Sequence, residues 1–171
     1  MRKSNDTILA LDPGLRDLGY AVLRGRRLVT SGVLGLRRVP KERRLATARQ
    51  NLRQWLRTHA PDTVVVEKTY RHPVPWLDAL HALSRSAQNL ATRQHAEFAM
   101  YAPQSVRASV AGNGRAKKPD VAIAVAHRFP SLRVYLTQDR RWKEAYWQNM
   151  FDAIALALHH QRQGSPPSRG R

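Results

Sequence analysis

The chain has 171 residues, no cysteine, and 30 lysines and arginines against 12 aspartates and glutamates, a formal charge of +18. That length suits one domain able to bury a core unaided, and the missing cysteines exclude disulfides, thiolate zinc sites and a cysteine nucleophile. With no signal-peptide pattern and no long apolar run, a soluble, cytoplasmic protein without a membrane span is the expectation.

In chain order, Thr7–Leu11 (TILAL) and Tyr20–Arg24 (YAVLR) read as strands joined by a Gly-bounded turn that contains Asp12, Pro13 and Gly14. Arg27–Leu36 (RLVTSGVLGL) reads as a third, completing an antiparallel meander. Pro40 opens a basic helix to about His59, where Leu45, Ala48, Leu52, Trp55 and Leu56 recur at helical steps between arginines. Asp62–Glu67 (DTVVVE) is an unbroken β-branched run, the mark of a strand buried on both faces. A second helix is expected over about Leu77–His95, a fifth strand at Glu97–Ala102, and a helix beginning at Pro103. The Gly-rich basic loop Ala111–Asp120 follows, Pro119 restarts a helix to about Arg128, and a last apolar helix runs through YWQNMFDAIALALHH. The fold class is therefore α/β: a mixed five-stranded sheet, three antiparallel strands then two parallel, flanked by helices. One domain over 1–161 and a disordered basic tail over 162–171 are expected.

The charge attracts polyanions, and nucleic acid is the commonest of these inside a cell. Charge does not separate DNA from RNA. Among the few acids, Asp12, Glu67 and Asp152 stand in apolar settings. If the first and fourth strands are parallel neighbours, Asp12 and Glu67 meet at their C-terminal ends. Carboxylates so placed need compensating charge, and a hard divalent cation with oxygen preference supplies it. The bland alternatives are a turn former, an arginine partner and a helix-surface acid, but the three acids together in a chain of +18 favour the metal reading.

LDPGLRDLGYAVL, with Arg16, Gly19 and Tyr20 after Asp-Pro-Gly, resembles the opening of the RuvC-type Holliday-junction resolvases, which share the RNase H-like fold. VVVEKTY, PQSVRASVAGNGRAKKPDV and FDAIALAL are similar, in order, to that family's later motifs. The resemblance implies metal binding by Asp12, Glu67 and Asp152, with two Mg²⁺ or Mn²⁺ ions per site. It implies base stacking by Tyr70, phosphate contacts from Arg107 and Lys118, and nucleic-acid contacts from Arg16, Arg115 and Lys117. It also implies a homodimer on branched DNA and a possible branch-migration helicase partner. The helix carrying Leu77, Leu80, His81, Ser84, Ala87 and Ala91 is the expected dimer face, although the same pattern suits packing on the sheet. Asn149 departs from the family, standing where a fourth acidic or histidine ligand is usual, three residues before Asp152. Either its amide oxygen serves as a catalytic metal ligand beside Asp152, or Glu144 or Asp139 completes the site. The expected activity is metal-dependent hydrolysis of four-way DNA junctions leaving 5′ phosphates. The alternatives are a nuclease on structured RNA and a catalytically weakened junction-binding paralogue.

Overall fold

In the computed structural model, residues 6–14, 16–69, 77–136 and 141–164 are described, with 141–145 described by backbone alone. Strands β1 (Thr7–Asp12), β2 (Asp17–Arg24) and β3 (Arg27–Gly35) form the antiparallel meander. Strands β4 (Thr63–Glu67) and β5 (Glu97–Tyr101) continue the sheet in parallel on the other side of β1, giving the order β3-β2-β1-β4-β5. The order follows from burial. Ile8, Ala10 and Val65 enter one apolar cluster, whereas Leu9, Leu11, Val64 and Val66 enter another on the opposite face. Strands apolar on both faces must lie centrally between two helical layers.

One layer is α1 (Lys41–His59) and α2 (Leu77–Arg93), which bury Ala48, Leu52, Leu56, Leu83, Ala87 and Ala91 with the sheet. The other holds α3 (Pro103–Ala111), α4 (Lys118–Arg128), a 3-10 turn at Pro130–Tyr135 and the long α5 (Arg141–Gln163). Helix α1 stops where Ala60 turns left-handed, φ 40°, and donates its N–H to Leu56 O. Among the described residues no helix is long and apolar enough to cross a membrane.

Several boundaries differ from the sequence expectation. Strand β2 begins three residues earlier, at Asp17, because Asp17, Leu18 and Gly19 pair with Gly35, Leu34 and Val33 of β3. Helix α2 ends at Arg93: His95 adopts φ 56° and Ala96 N–H closes onto Ala91 O, a Schellman-type stop. Helix α5 runs two residues into the expected tail, to Gln163; just before that tail Gln161 donates to Gly25 O, and within it Arg162 donates to Ser109 O. The expected dimer face is also corrected in part. Leu77, Leu80, Ser84, Ala87 and Ala91 are buried within the chain itself, so that stripe packs inward. Tyr70, Asp139, the Glu144 side chain and the tail from 165 onward lie outside the described residues.

Candidate active site

Asp12 and Glu67 end two parallel neighbours in which Leu11 stands beside Val66. Because side chains alternate along a strand, Asp12 follows Ala10 and Glu67 follows Val65 onto the face covered by α5. Helix α5 reaches that face through a glycine. Gly19 is the β2 partner of Asp12, and a Cβ on it would lie 1.9 Å from the Asn149 carbonyl oxygen. The absent side chain lets the helix backbone rest on the sheet beside Asp12, which brings Asp152, three residues on, to the same end.

The Asp17 carbonyl is a second fastening. It accepts a hydrogen bond from Asn149 Nδ2 at 3.2 Å, and it lies 2.2 Å from where a Cβ on Gly14 would sit. One peptide oxygen thus holds α5 and lies close against Gly14, two residues past Asp12. The Asp17 side chain is 6% exposed. Its Oδ2 accepts from Arg37 Nε at 2.9 Å and from the terminal guanidinium nitrogen at 2.7 Å, while Oδ1 has no hydrogen-bond partner among the described residues.

The electrostatics tie the three acids together. Removal from water, then the charges of Glu67 and Asp152, raise Asp12 well above the usual carboxylate range, against the pull of Lys118. Glu67 is pushed up to about 7, chiefly by removal from water and then by Asp152, while Lys118 and Arg107 oppose the rise. Removal from water would lower Lys118, but the charge and hydrogen bond of Asp152 and the charges of Asp12 and Glu67 outweigh it and hold the ammonium up. Lys118 Nζ donates to Asp152 Oδ2 at 3.1 Å. Gln148 Nε2 donates to Asp152 Oδ1 at 2.9 Å and to the Lys118 carbonyl at 3.3 Å.

Among the described residues no three acidic or imidazole side chains are already closed around one point. The donor set nevertheless fits a hard cation. Asp12, Glu67 and Asp152 supply only oxygen, and Asp12 and Glu67 are held up first by removal from water and then by their neighbouring carboxylates, an arrangement of clustered acids that a hard cation would relieve.

Of the sequence-predicted residues, the structure brings together Asp12, Glu67, Asp152, Lys118 and, on α3, Arg107. Asn149 is half-buried, with its amide given to Asp17. Arg16, Arg115 and Lys117 are exposed and are not among the charges acting on Asp12 or Glu67. Arg115 donates its backbone N–H to Asn113 Oδ1, and Lys117 donates its own to Asp120 ahead of α4. Two participants escaped the sequence reading. Gln148 stands four residues before Asp152, a spacing that places both on one helical face. Asp17 stands two before Gly19, which puts both on the face of β2 that meets α5.

The model of the family described as crossover junction endodeoxyribonuclease RuvC matches residues 8–160. The chain is 32% identical to the protein of that name from Nocardioides sp., over 95% of this chain and 90% of the relative. It is 30% identical to that from Renibacterium salmoninarum, over 94% and 82% respectively. Among solved structures, Thermus thermophilus RuvC in complex with a Holliday junction substrate superposes with a TM-score of 0.71 at 23% identity, over 91% of this chain and 92% of that one. That likeness concerns the fold, which is RNase H-like, with the observed strand order. With its model match spanning the sheet, the acids and the last helix, the chain belongs to the crossover junction endodeoxyribonuclease RuvC family.

Proposed function

We propose that the chain is a divalent-metal-dependent endonuclease that cuts four-way DNA junctions, acting as a homodimer so that two sites face a two-fold symmetric substrate. The observation that carries this reading is the convergence of Asp12, Glu67 and Asp152, from two strands and a helix, in a chain of charge +18. Asp12, Glu67 and Asp152 would hold two Mg²⁺ or Mn²⁺ ions per site. When bound, the cation supplies positive charge where the attacking and departing oxygens of a phosphodiester become negative. Lys118, already among the acids, and Arg107 neutralise the scissile phosphate and hold it in place. Arg16, Arg115 and Lys117 engage neighbouring phosphates, and Tyr70 stacks on an unpaired base at the branch point. Hydrolysis leaves a 5′ phosphate and a 3′ hydroxyl. A branch-migration helicase would act on the same junction.

The test is cleavage with Mg²⁺ and with Mn²⁺ of a four-way DNA junction, a matched duplex and a structured RNA. Paired nicks in the junction alone are expected, with 5′-phosphate ends. Cutting confined to the RNA would move the substrate to structured RNA, and tight junction binding without cutting would make the chain a binding protein.

A further inference from the structure

Among the described residues, both carboxylate oxygens of Asp152 accept hydrogen bonds, and one of the donors is a residue the proposed chemistry does not use. Oδ2 receives the Lys118 ammonium at 3.1 Å, a charge that a cation can replace. Oδ1 receives the Gln148 amide at 2.9 Å, and the same nitrogen donates to the Lys118 carbonyl at 3.3 Å. Gln148 therefore spans the first turn of α4 and the carboxylate on α5. It is half-buried, four residues before Asp152, so the contact lies along one face of a rigid helix. A neutral amide cannot displace a divalent ion from a carboxylate, but it can occupy one oxygen and set the rotation of the group. Donors of this kind around a ligand are known to tune its metal affinity strongly.

We infer that Gln148 is a positioning residue for metal binding: its amide reserves Asp152 Oδ1 and leaves Oδ2 as the oxygen offered to the divalent cation, in the place Lys118 now fills. This rests on the proposed metal-dependent reading. Without the amide, Asp152 rotates among several orientations, and α4 loses a tie to α5. Affinity for the ion falls, while the loaded site, once assembled, retains its chemistry.

Calorimetric titration of Mn²⁺ into DNA-free protein tests this, comparing wild type with Gln148→Leu and Gln148→Glu, with metal-free melting curves recorded alongside. Gln148→Leu should raise the Kd for Mn²⁺ on the order of tenfold, with kcat at saturating Mn²⁺ close to wild type. Gln148→Glu, nearly the same shape but with no donor, should weaken binding as well, and it carries the test if the leucine variant folds poorly. Tighter Mn²⁺ binding by Gln148→Glu would overturn the inference, because the side chain would then itself be a ligand. An unchanged Kd in both variants, with wild type binding normally, would overturn it alone. Wild type that binds no Mn²⁺ would overturn this inference and the proposed function together.

Discussion

At the scale of single residues, the site is defined by what its carboxylates lack. Glu67 takes up a proton at about 7 in the folded chain, against an ordinary value of 4.5, mainly because it is withdrawn from water beside Asp152. A raised folded-state value means that proton binding favours the fold. That contribution is complete below about 4.5 and is lost as the pH climbs through 7. Metal-free Glu67→Gln should therefore melt above wild type by a margin that widens between about pH 5 and pH 8, since linkage acts across that window. A divalent cation should stabilise wild type at the upper pH and do little at the lower. A margin that does not change with pH would contradict the placement of Glu67. The same group makes a sharper catalytic prediction. Asp12→Asn, Glu67→Gln and Asp152→Asn should each abolish junction cleavage while leaving junction affinity equal or tighter, because affinity comes from the basic surface. Gel-shift and cleavage assays on the same preparations measure both, and near-normal cleavage by any variant removes that residue from the site.

At the scale of elements, activity depends on how closely α5 is held to β2. Gly19→Ala would place a Cβ 1.9 Å from the Asn149 carbonyl, a backbone atom that cannot swing aside. The helix must lift, at a cost of roughly 1–3 kcal/mol or more for overpacking, and it carries Asp152 away from Asp12. Thermal unfolding should show the loss of stability, and cleavage should fall more steeply than junction binding. Asn149 belongs to the same fastening. Asn149→Asp deletes the donor to Asp17 O, and losing a hydrogen bond of this kind costs about 0.5–1.5 kcal/mol, which should lower the melting temperature. An unchanged melting curve would show that this hydrogen bond does not fasten α5 to β2. The Asn149–Asp17 contact could not be read from the chain, and Gln148 offered only its four-residue spacing to Asp152. Hydrogen bonds between α5 and residues more than a hundred positions away leave no local pattern, and Asp17 in GLRDLG looks like one more solvated turn acid until β3 pairs with it. The helices themselves were legible, except where closing contacts decide their ends, as at His95 and Gln161.

At the scale of the whole molecule, the sheet order was legible because Val64–Val66 and Ile8–Leu11 are both apolar on alternate faces. Two such strands need cover on both sides, so they lie together at the centre, and Asp12 and Glu67 come to the same end of the sheet. Charge works at this scale too. A chain of +18 binding phosphates should lose affinity for junction and duplex alike as salt rises. The logarithmic slope is about −0.9 per phosphate contacted. Fluorescence titrations between about 50 and 200 mM salt should show both slopes, with the preference for the junction surviving; an affinity indifferent to salt would contradict a phosphate-binding surface. The central claim is that Asp12, Glu67 and Asp152 form one divalent-cation site. Anomalous scattering from crystals of the protein soaked in Mn²⁺ tests it most directly. The account predicts density bounded by those three carboxylates, with Asp152 Oδ2 released from Lys118. Saturating Mn²⁺ with no density there, and the Lys118–Asp152 contact still at 3.1 Å, would contradict it.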